Sequence, residues 1–167
     1  GFGIDQQWVR GGYNPELGYL RRTDYFRVNP TVQLFFYPRS EQVTRHNLQA
    51  DITYFWKPFY GKTDHEWQLN WETNFASTAV LTLGLSNRFT YLFEAFDPTR
   101  TDALELPADT EYTYTGFELR YRSDQQKKLF YTLNLLGGQC FNGSRYSVAS
   151  ALTYRYQPYG AIEMNIN

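Results

Sequence analysis

The chain has 167 residues, 16 basic and 17 acidic side chains, a net charge of −1, one cysteine and 19% aromatic residues. With a charge this close to zero, nothing in the composition points to nucleic acid or another polyanionic partner. A single cysteine excludes an internal disulfide framework, and no run approaches the 18 apolar residues a transmembrane helix needs.

The 15 Tyr and 13 Phe suit a pleated surface. The negative mean hydropathy fits a water-soluble protein, and it equally fits a transmembrane barrel, in which about half of each strand faces a polar interior.

In chain order, a loosely patterned first strand runs from Phe2 to Arg10. From Tyr25 to Tyr37, Phe26, Val28, Val32, Leu34 and Phe36 alternate with Arg27, Asn29, Thr31 and Gln33, and Pro30 interrupts the apolar row as a bulge or unpaired edge position. Between Val43 and Trp56 the alternation is nearly free of error, with Leu48, Ala50, Ile52, Tyr54 and Trp56 set against Arg45, Asn47, Gln49, Asp51 and Thr53. The pattern recurs over Glu66–Phe75, Ala79–Phe93, Tyr112–Arg122, Lys127–Leu135, Arg145–Tyr156 and Ile162–Ile166. Successive side chains of a strand point to opposite faces, so these are about nine two-faced strands, and no helix is expected.

The connections carry a second pattern. Pro38–Gln42, Ala76–Ala79, Ser123–Gln126 and Gln157–Tyr159 read as short turns, whereas Lys57–His65, Glu94–Glu111 and Gly137–Ser144 read as long loops. Short and long alternate, which puts tight turns at one end of an up-and-down sheet and loops at the other, the habit of outer-membrane barrels.

Alternation alone does not say which face is inside. The expected strands run about ten to fifteen residues, whereas soluble strands centre on five or six and membrane-spanning ones need nine to eleven. Rings gather at strand ends around aliphatic middles such as Leu81 to Leu85, like the aromatic girdles of a membrane barrel. The expected fold is therefore an all-β, antiparallel, up-and-down transmembrane β-barrel.

Its lipid-facing residues would include Phe36, Ile52, Trp56, Trp67, Trp71, Leu83, Phe89, Leu133 and Tyr154. Its lumen-facing polar residues would include Arg27, Arg45, Asp51, Glu72, Arg88, Glu118, Arg120, Arg122, Lys128, Arg155 and Glu163. Such charges could set pore selectivity, or cross-link the wall or hold a plug. The competing architecture is a soluble lipocalin-type barrel binding a small ligand, with both faces inverted.

The segment Gly12-Tyr13-Asn14-Pro15-Glu16-Leu17-Gly18-Tyr19-Leu20-Arg21-Arg22-Thr23-Asp24-Tyr25 resembles a stretch of a Bacteroidota outer-membrane β-barrel family of unknown function. That family shares an Asn-Pro-Glu-(aliphatic)-Gly-(aromatic)-x-Arg-Arg motif leading into a barrel strand. The run from Leu152 to Gly160 is similar to a later strand-turn-strand of the same barrel. In the family the barrel usually follows an N-terminal sandwich resembling a family-nine carbohydrate-binding module, so the resemblance implies a link to glycan handling. Nothing in these residues shows that module. The odd strand number and the amphipathic last strand lead us to expect residues 1–167 to be a single barrel portion, internal to a longer chain.

No catalytic constellation is legible. His65 lies between Asp64 and Glu66 in what reads as a loop, but neighbours in an extended chain point apart and no second ligand cluster accompanies them. His46 has apolar-face parity and reads as an interfacial ring. Cys140 reads as a passive thiol in a loop, and Asn142-Gly143-Ser144 as a glycine-containing turn. Asn14, Glu16, Arg21 and Arg22 read as loop contacts.

No cofactor or metal is expected. The expected partners are the lipid bilayer of a bacterial outer membrane and other outer-membrane or periplasmic subunits, with no nucleic acid. The expected function is non-enzymatic, in solute passage or in a transport or secretion assembly. The alternative is an outer-membrane glycan-processing or carbohydrate-binding protein whose active domain lies elsewhere.

Overall fold

The computed structural model describes residues 1–10, 24–95, 97, 105–140, 143–156 and 158–166. Among them are nine strands and no helix: β1 (Phe2–Val9), β2 (Tyr25–Phe36), β3 (Val43–Lys57), β4 (Gly61–Phe75), β5 (Val80–Leu92), β6 (Thr110–Arg122), β7 (Leu129–Cys140), β8 (Gly143–Tyr156) and β9 (Gly160–Ile166). Each strand pairs antiparallel with the next, in chain order, to make one sheet. β1 and β9 do not touch, so the sheet is open at both edges.

β3, β4, β6, β7, β8 and β9 run longer than the alternation suggested, and strand takes up most of two expected loops. β3 and β4 reach 15 residues each, about 50 Å of extended chain at 3.3 Å per residue. They are joined by Pro58–Tyr60 alone, so the connection expected over Lys57–His65 is a tight hairpin. Pro58 sets the first corner position, Phe59 takes φ +69, Tyr60 N–H donates to the Lys57 carbonyl at 3.2 Å, and Gly61 follows at φ +76. Pro followed by a left-handed residue is type II turn chemistry. The charges of Lys62, Asp64 and Glu66 had masked that signal.

Likewise β7 continues to Cys140, which pairs with Gly143 of β8, so Gly137–Ser144 is hairpin rather than loop and Cys140 ends a strand. At this end of the sheet only the β1–β2 and β5–β6 connections are long. The strict alternation of loop lengths does not hold.

Register keeps the two faces apart across the whole sheet. Leu34 pairs with Leu48, Leu48 with Trp71, Trp71 with Leu83, Leu83 with Leu119 and Leu119 with Leu135. This row of apolar side chains on one face crosses six strands. Among the described residues no second layer covers it, no side chain is fully buried, and the only buried hydrophobic residues are Val9, Ala79 and Leu106. The accessible surface is 12329 Å², whereas a folded soluble monomer of this mass exposes about 8,600 Å².

Pro30 sits inside β2 without a bulge. Ile4 pairs with it on the β1 side, and the register with β3 is unbroken from Val28↔Tyr54 to Thr31↔Asp51. Proline has no N–H to give the facing strand, and the gap is filled locally. The Asn29 side-chain amide donates to the Ile52 carbonyl at 2.9 Å and to Thr53 Oγ1 at 2.8 Å.

Asn29→Ala is expected to cost about 1–2 kcal/mol by leaving a carbonyl unpartnered. Asn29→Ala with Pro30→Val, which restores a backbone donor, should recover at least half of that. Urea unfolding of the full chain in detergent, followed by tryptophan fluorescence, measures both. Equal instability of the single and double variants would defeat this account of Pro30.

Candidate functional site: the polar face

Alternate residues of the nine strands build a polar face, and one register row shows its profile. Thr31 pairs with Asp51, Asp51 with Gln68, Gln68 with Ser86, Ser86 with Gly116, Gly116 with Gly138 and Gly138 with Arg145. Three small residues in succession, Ser86, Gly116 and Gly138, hollow out the middle of this row.

A cleft of about 450 Å³ follows the hollow from β4 to β8, bordered by Glu66, Gln68, Tyr114, Glu118 and Arg145. A second, lined by Tyr25, Arg27, Phe55, Glu66, Arg88 and Tyr114, reaches from β2 to β6. Along β6 and β8 the polar-face residues are mostly half-buried and their apolar-face neighbours mostly exposed. Both clefts open on the polar side, so the sheet curls with the polar face concave and the apolar face convex.

The charges on the concave face pair across and along strands. Arg27 bonds Asp5. Arg88 Nη2 lies 2.5 Å from Glu66 Oε1, Arg45 Nη2 3.7 Å from Glu72 Oε1, and Arg120 Nη2 2.5 Å from Glu118 Oε1. Asp51 accepts from Thr31 Oγ1 at 2.9 Å and Gln49 Nε2 at 2.8 Å. These pairs are partly exposed, so each contributes about 0–1 kcal/mol. They neutralise the face more than they stabilise it.

Arg155 also has polar-face parity, and its guanidinium lies 4.6 Å from the centre of the Phe130 ring and donates to the Gln125 carbonyl at 3.1 Å. Arg122 ends β6 and Glu163 lies on the edge strand β9, opposite Thr153. Lys128 is not on a strand face. It belongs to the β6–β7 turn, where its carbonyl accepts from Arg155 N–H at 2.7 Å.

Phe36, Ile52, Trp56, Trp67, Trp71, Leu83, Phe89, Leu133 and Tyr154 all share the opposite, convex face. There Phe26 packs 5.9 Å from Trp56 and Tyr54 5.5 Å from Trp56, centroid to centroid. His46 is an apolar-face ring, as its parity implied. Its Nδ1 accepts from Trp71 Nε1 at 3.2 Å and Thr73 Oγ1 at 3.0 Å.

His65 is not in a loop. It lies in β4 on the convex face, stacked on Phe89 at 5.4 Å, with Asp64 and Glu66 on the other face. Lys62 Nζ lies 3.3 Å from His65 Nδ1, His65 Nε2 lies 3.1 Å from Asn87 Oδ1, and Asn87 Nδ2 donates to Thr115 Oγ1 at 3.1 Å. An ammonium has no acceptor, so Nδ1 accepts and Nε2 donates. His65 is therefore a link in a polar chain that runs from Lys62 to Thr115. Among the described residues no three His, Cys, Asp or Glu side chains converge to hold a metal.

Glu66 was missed as a polar-face residue because His65 beside it looked like a loop feature. Extending the alternation of Gln68, Asn70 and Glu72 back by two positions finds it. The glycine hollow has no comparable sequence signal, because only the register brings Gly116 to Gly138. Asn14, Glu16, Arg21 and Arg22, with most of the motif they belong to, fall outside the described residues, as does Asn142.

No family model, curated protein or solved structure matches the chain.

The hollow makes a prediction of its own. A Cβ at Gly138 would meet the Thr115 carbonyl at 2.5 Å and the Gly116 Cα at 2.6 Å, both backbone. At Gly116 the nearest atom, at 3.1 Å, is the movable Ser86 Oγ. Gly138→Ala should therefore cost about 1–3 kcal/mol, and Gly116→Ala less than 1. Urea midpoints of the two variants measure the difference, and equal values would sink the close approach of β6 and β7.

Proposed function

We propose that this sheet is part of the wall of an outer-membrane β-barrel of more than nine strands. Its convex face meets lipid, and its concave face lines a wet lumen for small polar solutes or serves a transport assembly. The observation that carries this reading is the direction of curvature, polar side in, together with an apolar convex side that nothing covers. A lipocalin-type barrel needs the reverse, with apolar side chains on the concave face.

The height of the apolar band supports the same reading. On β3 the rings at its two limits, His46 and Trp56, are ten residues apart, about 33 Å along the strand. At a tilt of about 40° that projects to about 25 Å, the height of the lipid-facing band of such barrels. β1 and β9 run in the same direction, because the order is a simple meander of nine. Antiparallel closure then takes an odd number of further strands and gives the even total usual in bacterial barrels. An outer-membrane location also accords with the resemblance of the Gly12–Tyr25 and Leu152–Gly160 segments to Bacteroidota barrels.

The paired charges suit weak selectivity, because Glu66 and Glu118 at the clefts hold Arg88 and Arg120. Leu83 and Thr82 are neighbours on opposite faces and separate the assignments. Leu83→Arg should cost about 2–4 kcal/mol of folding into lipid vesicles. Thr82→Arg should fold like the parent and shift the reversal potential towards anions in a planar bilayer. If Leu83→Arg is tolerated and Thr82→Arg is not, the faces are inverted and the reading fails.

A further inference from the structure

On the convex face, at the end of the sheet carrying the Pro58–Tyr60 hairpin, one register row runs Trp8, Phe26, Trp56, Lys62 across β1 to β4. The Lys62 ammonium continues the row by resting 4.6 Å from the centre of the Phe89 ring on β5. At the other end of the row the Arg10 guanidinium lies 5.6 Å from the Trp8 ring. Just beyond, Lys57 Nζ sits 4.8 Å from the Phe93 ring and 5.6 Å from Tyr60. Arg10 and Lys62 thus top one aromatic belt, and Lys57, of opposite parity to Trp56 at the last residue of β3, reaches the rings beside it.

Four cations of the concave face, Arg27, Arg45, Arg88 and Arg120, each hold a carboxylate. Among the described residues, Arg10, Lys57 and Lys62 form no ion pair. Rings lie beneath their charged heads, and Lys62 has one further partner, His65 Nδ1. An ammonium carries three donors, so Lys62 keeps bonding capacity beyond that contact.

At the opposite end, Tyr121, Tyr131, Tyr154 and Tyr156 occupy convex-face positions. The cation–ring contacts described at that end, Arg45 with Phe35 and Arg155 with Phe130, belong to the concave face. The belt with unpaired cations is therefore one-sided.

We infer that the Arg10–Lys57–Lys62 rim binds the phosphate groups of anionic lipids, and so fixes which end of the sheet lies at the anionic membrane surface. The inference rests on the barrel reading above. Long basic side chains over an apolar belt carry their charge to headgroup height. Phosphate oxygens offer the charge-assisted bonds that no carboxylate of the described residues supplies there. Each such cation near an anionic surface strengthens attraction about fivefold. The chain from His65 through Asn87 to Thr115 supports the site by spending the polar atoms of those residues on one another.

Trp8 and Trp56 lie in the row itself, so quenching by brominated lipid reports which lipid collects there. The full chain is folded into phosphatidylcholine vesicles containing a minor fraction of brominated phosphatidylglycerol or brominated phosphatidylcholine. Phosphatidylglycerol should be preferred about tenfold by the parent. The preference should fall to within twofold in Arg10→Gln/Lys62→Gln, and survive in Lys62→Arg and in the turn-end variant Lys127→Gln/Lys128→Gln.

Equal quenching by the two lipids in the parent, or an undiminished preference in Arg10→Gln/Lys62→Gln, overturns the headgroup site while leaving the barrel reading intact. Release of the preference by millimolar inorganic phosphate would overturn a lipid in favour of a free anion. No quenching by either lipid would mean that the row does not face lipid, and both readings would fall.

Discussion

A strand that meets lipid has no water to satisfy its backbone, so every amide and carbonyl must find its partner inside the sheet. That constraint organises this molecule. The eight antiparallel ladders satisfy most of the backbone, and polar side chains serve the places where a ladder is interrupted. Asn29 supplies the donor that Pro30 lacks. The β3–β4 register shifts near each end of the pair, at Thr44 and at Thr63, and in both places a threonine hydroxyl bonds a carbonyl of the facing strand. Thr44 Oγ1 donates to Asn74 at 3.0 Å, and Thr63 Oγ1 to Phe55 at 3.5 Å.

The two faces follow different rules because they answer to different surroundings. On the concave side, charge meets opposite charge and amide meets hydroxyl, so the face is polar without being strongly of one sign. On the convex side the hydrophobic effect has nothing within this sheet to act against, which is why so much apolar surface stays open. The few polar atoms on that side are closed into small circuits, as at His65 and His46. Such circuits are what a polar group needs in an apolar medium, since an unpartnered one is costly there. Glycine plays a third part, because Gly116 and Gly138 let β6 and β7 approach closely and make the hollow of the concave face.

Most of the fold was legible in the sequence, because period-two alternation is a direct consequence of strand geometry and the chain keeps it for most of its length. From Val43 to Trp56 the pattern gave both the strand and its faces. What escaped was whatever depends on turns or on neighbours in space. Lys62 and Asp64 looked like loop because charge correlates with exposure, yet both are ordinary strand in this sheet. The turn at Phe59 uses a left-handed aromatic where glycine is usual, so the Pro-x-x-Gly spacing was easy to pass over. Lys128 fitted the alternation by parity and still fell in a turn, since parity says nothing about where a strand begins. The pairing of particular acids with particular arginines needed the register, which a single sequence does not carry.

The meander has a kinetic consequence. Because every strand touches only its neighbours in the chain, no contact between strands spans more than one hairpin. Such a topology can grow by adding one hairpin at a time, each new strand finding its template already in place. The tightly joined β3–β4 pair, with 15 residues on each side of a three-residue turn, is the segment best suited to form first. From it the sheet can extend towards both edges without any strand waiting for a distant partner.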